Sequence, residues 1–95
     1  MSIETRIDEI LNAERIPSAD EMYRMGIEAS TAVDGGNVDL IAAHKWFNLA
    51  ALQGNEDAIF YRKQVTLEMD SRQVAAAQRD AREWLRKHRP AVPEA

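Results

Sequence analysis

The chain has 95 residues, of which 45% are hydrophobic and 29% charged, and its formal net charge is −4; these values are typical of one soluble globular domain. The absence of cysteine excludes disulfides, thiolate nucleophiles and cysteine-bound metals, and is compatible with a reducing cytosol. The charged first residues, without a long apolar run, argue against a secretory signal or a membrane-spanning helix. We therefore expect a cytoplasmic protein that has no membrane contact.

The apolar residues predict an all-α fold, because no segment alternates apolar and polar residues for long enough to form a strand. A first helix with an apolar stripe is predicted over about residues 3–14, and a following proline ends it. Ser18 and Glu21 have the spacing of a capping box, in which each side chain bonds the backbone amide of the other. They predict a second helix that runs to about Val33.

A glycine-containing break separates the second helix from the third. The third helix is predicted over about residues 39–53, with Gly54 as its C-terminal cap. The fourth begins after Asn55, a favourable N-terminal cap, and runs to about Met69.

The fifth helix is predicted to begin with a second capping box, formed by Asp70 and Gln73. It ends at about residue 89, because prolines follow, and residues 90–95 are expected to be a disordered tail. Since the connections between helices are short, we expect consecutive helices to pack antiparallel.

Several residues recur at an offset of 38 positions. The offset relates Tyr23-Arg24 to Tyr61-Arg62, Ala43 to Ala81, and Trp46-Phe47 to Trp84-Leu85. A fixed period of 20–50 residues is the signature of a fold built from one repeated supersecondary unit. Such units more often bind other molecules with their surfaces than catalyse reactions, so the recurrence itself favours a binding function.

The clearest of these units lies between Met22 and Gly54. Its characteristic residues are Met25-Gly26, Asp39, Ala43, Trp46-Phe47, Ala50-Ala51 and Gln53-Gly54, with Ala58 opening the next unit. This stretch resembles a Sel1-like repeat, a relative of the tetratricopeptide repeat. The resemblance implies a short α/α repeat of about five antiparallel helices with right-handed superhelical stacking, and it suggests a bacterial protein.

The second unit is more degenerate than the first, since Gln64 replaces the glycine at Gly26 and no Gln-Gly follows Trp84. We interpret it as a terminal, capping repeat. The expected organisation is one domain over residues 1–89, made of an N-terminal capping helix (1–17), a first repeat (18–54) and a degenerate second repeat (55–89).

The spacing has a physical reason that is independent of the family. Ala43 and Ala50 are small, so neighbouring helix axes can approach closely. Trp46 and Phe47 would fill the gaps between helix pairs, because large aromatic residues supply much of the burial energy of a small core. Gly26 costs about 1 kcal/mol in a helix interior relative to alanine, which predicts that it marks a close helix–helix crossing.

In proteins that this chain resembles, the first helix of each repeat lines a concave binding face. The resemblance therefore implies outward, partner-binding positions at Tyr23, Ile27, Ser30 and Thr31 and, one period later, at Tyr61, Val65, Glu68 and Met69. Exposed tyrosines combine apolar area with a hydroxyl group, which suits a protein or peptide contact. The alternative is that both tyrosines pack against the terminal helices.

We expect a non-enzymatic protein–protein interaction module, a small adaptor or regulator that docks onto a larger protein. Because solenoids generally need about three repeats, an alternative is a homodimeric scaffold in which two chains complete each other. A second alternative is a nucleic-acid-associated regulator that uses the basic cluster of the fifth helix. That cluster comprises Arg79, Arg82, Arg86, Lys87 and Arg89.

The basic cluster has three interpretations, of which solvation of the helix end is favoured. An acidic protein partner comes second, and nucleic acid is disfavoured because the whole chain is acidic. The charge is divided unevenly, since residues 1–44 hold nine acids and three bases whereas residues 45–95 hold seven acids and nine bases.

Candidate catalytic, cofactor and metal sites are absent from the sequence patterns. His44 has no ligand partner at helical spacing, and we expect it to be half-buried between helices. His88 follows basic residues at a helix end, where it stabilises the helix dipole. The segment Asp34–Asp39 lacks the terminal bidentate acid of a calcium loop. No phosphate loop, serine elbow or zinc motif is present, so we expect neither an enzyme nor a cofactor.

Met22 and Met25 are interpreted as core residues.

Overall fold

A computed structural model describes residues 16–32 and 36–88, and every regular element within these ranges is an α-helix. The helices are α1 (Ala19–Ser30), α2 (Leu40–Leu52), α3 (Glu56–Leu67) and α4 (Ser71–His88). The predicted all-α fold is confirmed for the part of the chain that is described. The predicted helix over residues 3–14, the tail and Arg89 lie outside the described residues.

The predicted N-terminal caps are confirmed. The Ser18 hydroxyl accepts from the Glu21 amide at 3.1 Å, and the Glu21 carboxylate accepts from the Ser18 amide at 3.4 Å. The Asp70 carboxylate accepts from the Gln73 amide at 2.8 Å, and the Gln73 side chain accepts from the Asp70 amide at 2.9 Å. These bonds satisfy amides that the first helical turn leaves without a backbone partner.

Asp70→Ala should destabilise the protein by about 1 kcal/mol, because the amide at the start of α4 loses its acceptor. The free energy of unfolding in urea measures this loss. Ser71→Ala, an exposed change at the next position, is the matched control and should stay within about 0.5 kcal/mol of the parent. Equal effects of the two changes would contradict the role of the capping box.

Helix α1 ends at Ser30, which is earlier than the predicted end at Val33. The backbone of Thr31 is extended, with φ −119° and ψ 107°. The hydroxyls of Ser30 and Thr31 both donate to the Ile27 carbonyl, at 3.0 and 2.8 Å. Hydroxyl groups can satisfy a carbonyl that would otherwise accept from the next helical turn, and this competition accounts for the early end.

Helix α2 is the centre of the fold, since it contacts α1, α3 and α4. The main core cluster consists of Met22, Ala43, Phe47, Leu49, Ala50, Ala58, Val65 and Ala81. Buried alanines occur on all three of the helices α2, α3 and α4, and their small side chains allow the helix axes to approach closely. These alanines are Ala43, Ala50, Ala58, Ala77 and Ala81. We expected consecutive helices to pack on each other, but α4 packs chiefly on α2 rather than on α3.

Gly26 marks the predicted close crossing between α1 and α2. A Cβ atom added at Gly26 would lie 2.5 Å from both Cδ1 and Cε1 of Phe47. Phe47 is completely buried, so its ring occupies the space that any larger residue at position 26 would need. At the other end of α2, Gly54 has a φ of 102°, which is the conformation expected of a glycine C-terminal cap.

Candidate functional site

Helix α3 directs small side chains inward and large apolar side chains outward. Ala58 and Val65 are buried, whereas Phe60 is 58% exposed and Leu67 is 81% exposed. Phe60 and Leu67 are seven residues apart and therefore lie on the same face of the helix, about 10.5 Å from each other along its axis. Helices at the surface of a soluble protein normally present polar residues to water, so this face is a candidate binding surface.

The exposed ring of Phe60 belongs to an aromatic cluster that begins in the core. The Phe60 and Tyr61 ring centroids are 5.3 Å apart, and those of Tyr61 and Tyr23 are 5.8 Å apart. The Tyr61 ring is stacked on Phe47 at 5.7 Å, and Phe47 is fully buried. We call Tyr23, Phe60, Tyr61 and Leu67 the aromatic face. Because its rings rest on a buried ring, little rotational freedom remains to be lost when a partner binds.

The structure places the four predicted binding residues of α1 only partly at the surface. Tyr23 and Ile27 are half-buried and pack against the core. The hydroxyls of Ser30 and Thr31 are engaged with the Ile27 carbonyl, although Thr31 is exposed. Of these residues, Tyr23 contributes directly to the aromatic face through its contact with Tyr61.

The outward position predicted for Val65 was wrong, and Met69, just after α3, lies only partly at the surface. Val65 is 4% exposed and belongs to the core, and Met69 is half-buried against it. Val65 is seven residues after Ala58, so both residues lie on the side that faces α2. Tyr61 and Glu68 are exposed, as predicted. The prediction missed Phe60 and Leu67, although their seven-residue spacing could have identified them.

Acidic residues lie near Tyr23, at one end of the aromatic face. The Asp20 carboxylate accepts from the Asn55 side-chain amide at 3.2 Å, which places the first turns of α1 and α3 side by side. Burial raises the pKa of the Tyr23 hydroxyl, and the neighbouring Tyr61 and the Asp57 carboxylate raise it further. Tyr23 is therefore a neutral hydrogen-bond donor at physiological pH.

His44 is buried rather than half-buried as we expected, with 4% of its surface exposed. Its Nδ1 atom has no hydrogen-bond partner among the described residues. Burial lowers the pKa of His44, and the positive charge of Arg62 lowers it further. Arg62 itself donates to the Asn48 side-chain oxygen at 2.7 Å. His44 is therefore a neutral core residue, and no group of metal-binding side chains occurs within residues 16–32 and 36–88.

Protonation of His44 should make the stability of the protein dependent on pH. Its folded pKa lies below the ordinary value of 6.5, so the unfolded chain takes up this proton first as the pH falls. Stability from this group is complete above about pH 6.5 and decreases toward the folded pKa, by at most about 1.4 kcal/mol per pH unit. Urea unfolding between pH 7.5 and 4.5, compared with His44→Gln, measures the difference. Parallel pH profiles for the two proteins would contradict this assignment.

The basic cluster of α4 is exposed, and the large apolar side chains within it, Trp84 and Leu85, are half-buried. Arg79, Arg82, Arg86 and Lys87 face solvent, and Arg86 pairs with Glu83 at 2.5 Å. The large exposed apolar residues of the described ranges all lie outside α4. The cluster therefore has positive charge for a ligand but no large exposed apolar residue beside it, and Lys87 lines a pocket next to Trp84.

The two tryptophans pack between α2 and α4, as predicted. The rings of Trp46 and Trp84 meet edge to face at 5.9 Å, and Trp84 is stacked on His88 at 4.2 Å. A ring nitrogen of His88 lies 2.8 Å from the Trp84 carbonyl, at the end of α4. A shallow pocket of about 270 Å³ beside Trp84 is lined by both acidic and basic side chains, so its charge favours no particular ligand.

Comparison of the chain with models of protein families, with curated proteins and with solved structures found no match. The resemblance to Sel1-like repeats thus stays a prediction made from the residues quoted above. None of the four described helices combines the length and the apolar composition that a membrane crossing requires.

Proposed function

We propose that the protein is a non-enzymatic interaction module that docks onto a larger protein through the aromatic face. The observation that carries this proposal is the exposure of Phe60, whose ring continues a cluster built on the buried ring of Phe47. Aromatic side chains on a fixed support are effective interface anchors, because they bury a large area at a small entropic cost.

The proposal includes a short Sel1-like α/α repeat with right-handed stacking, in the cytoplasm of a bacterium. Two aromatic pairs related by the 38-residue offset support it. Tyr23 contacts Tyr61 on the side of α1 and α3, and Trp46 contacts Trp84 on the side of α2 and α4. Contact between equivalent residues is what side-by-side packing of two similar units produces.

Phe60→Ala should weaken binding strongly without changing the fold. Interface aromatics of this kind typically contribute 2 kcal/mol or more, so we expect the affinity for the partner to fall about 30-fold or further. The measurement is affinity capture from lysate of the source organism, followed by titration of the purified partner. Arg82→Ala, an exposed change on α4, is the matched control and should bind like the parent.

The three proteins also need to be compared by circular dichroism and thermal unfolding, which should give superimposable curves. A partner retained equally by parent and Phe60→Ala would disprove the proposal. Loss of the partner with Arg82→Ala instead would move the binding surface to the basic cluster of α4. A concentration-dependent dimer that Phe60→Ala converts to a monomer would favour the homodimeric scaffold.

A further inference from the structure

The charges around the aromatic face indicate what kind of partner it accepts. We infer that the face binds a basic amphipathic segment of another protein, with apolar residues that cover Phe60 and Leu67 and with lysine or arginine residues beside them. This inference rests on the proposed function and specifies its partner.

The two helices that form the face are acidic, and the opposite side of the fold is basic. Helices α1 and α3, together with the adjoining Glu68, hold six carboxylates and three cations, and one of these cations, Arg62, is engaged with Asn48. Helix α4 holds two carboxylates and five cations. A cationic segment would therefore be attracted to the aromatic face and repelled from α4.

Two of these carboxylates have a direct relation to the face. Asp57 lies close enough to Tyr23 to raise the pKa of its hydroxyl, so its negative charge acts at the surface of the aromatic cluster. Its position in the first turn of α3 is also explained by the helix dipole. Glu68 has no such explanation, because it follows the last residue of α3, where a carboxylate is unfavourable.

Glu68 is exposed and lies next to Leu67, the most exposed large apolar residue of the described ranges. Within those ranges no cation pairs with Glu56, Asp57 or Glu68. Lys63 is exposed three residues after Phe60 and four before Leu67, so its positive charge lies on the same side of α3 and offsets part of the attraction. Positions that depart from the local preference of their helix are expected at functional or strained sites. The Glu68 carboxylate would meet a cation of the partner beside the Leu67 anchor.

A second copy of the chain fits the face poorly. A symmetric contact through α3 would place the carboxylates of the two copies against each other. A head-to-tail contact would offer the basic helix α4, which carries no large exposed apolar residue to cover Phe60. Residues 1–15 hold four acids and two bases, so their charge does not complement the face either. A different protein with both apolar anchors and positive charge fits the face better than these two arrangements of a second copy.

The spacing of the anchors favours a helical partner. Phe60 and Leu67 are two helical turns apart, a distance that apolar residues at positions i and i+7 of an opposing helix also span. Residues at i+3 and i+4 of such a helix would rest between them. The remaining faces of the partner helix would carry its lysine and arginine residues.

The test is selection from a display library of random 18-residue peptides with the full chain as bait. The expected peptides have apolar residues every three or four positions and are enriched in lysine and arginine. Their affinity should fall at least tenfold with Phe60→Ala and with the double variant Asp57→Asn/Glu68→Gln. The matched control, Asp80→Asn/Glu83→Gln on α4, should leave the affinity unchanged. Binding should also weaken as salt rises, and less steeply for the Asp57→Asn/Glu68→Gln variant.

The outcomes separate this inference from the proposed function. Selected peptides that are neutral or acidic, yet need Phe60, would overturn the basic partner and leave the proposed function intact. Peptides that bind Phe60→Ala as well as the parent, or a selection that yields no binder, would overturn both. If sedimentation shows that the chain self-associates, and Phe60→Ala abolishes this association, the face binds a second copy of the chain and the inference of a basic partner is overturned.

Discussion

Phe47→Ala should be the most damaging single truncation in the described core, with a loss of about 3–5 kcal/mol in the free energy of unfolding. The ring is completely buried, lies 6.0 Å from the Tyr23 ring and is stacked on Tyr61. Its removal would leave a cavity next to Gly26, where no side chain is available to fill the space. Because native domains are stable by only about 5–15 kcal/mol, this loss is a large fraction of the total stability and should lower the midpoint of thermal unfolding markedly.

Phe60→Ala is the matched control for this experiment, since it removes the same side chain from the surface of the same aromatic cluster. We expect its stability to stay within about 0.5 kcal/mol of the parent, because most of the ring is already in water. Urea unfolding followed by circular dichroism measures both variants. Equal losses for the two phenylalanines would show that the ring of Phe60 is supported by the fold and is not free for a partner.

Gly26→Ala should destabilise the protein by about 1–3 kcal/mol, although alanine favours a helix interior by about 1 kcal/mol. The added Cβ would lie 2.5 Å from two ring atoms of Phe47. That ring cannot move away easily, because it is enclosed by the rings of Tyr23 and Tyr61. The cost of overpacking should therefore exceed the gain in helix propensity, and thermal and urea unfolding should both show it.

Two controls isolate the crossing of α1 and α2. Glu28→Ala, at an exposed position of α1, adds the same helix-favouring residue and should have no more than a small effect. In a Phe47→Leu background the penalty of Gly26→Ala should shrink, because residues in contact do not contribute additively. If Gly26→Ala destabilises the Phe47→Leu protein as much as the parent, the added methyl group does not clash with the ring of Phe47.

The local features of the helices could be predicted from the sequence because their causes are local. The pairs Ser18 with Glu21 and Asp70 with Gln73 depend on side chains three residues apart, and both form the reciprocal bonds expected. The end of α1 could not be predicted in the same way. The hydrophobic spacing in the sequence continues to Val33. The helix ends earlier because the hydroxyls of Ser30 and Thr31 donate to the Ile27 carbonyl, which would otherwise accept from a backbone amide of the next turn.

The candidate site was predicted in part. The 38-residue offset pairs Tyr23 with Tyr61, and their rings touch in the structure. Val65 was placed outward because it is equivalent to Ile27, but the rotation of a helix on its neighbour depends on long-range packing against α2. The same dependence accounts for the exposure of Phe60, since Ala58 and Val65 occupy the inward side of α3.

The contact between Trp46 and Trp84 determines what intrinsic fluorescence can report. These are the two tryptophans of the sequence, and their rings meet where α4 packs on α2. Tyr23 and Tyr61, in contrast, report on the junction of α1 and α3. Emission excited at 295 nm therefore follows the docking of α4, whereas the near-ultraviolet dichroism of tyrosine follows the other half. Tryptophan fluorescence and tyrosine dichroism therefore report on the two ring contacts separately. If the two thermal unfolding curves coincide, the helices unfold together; if they differ, one helix detaches first.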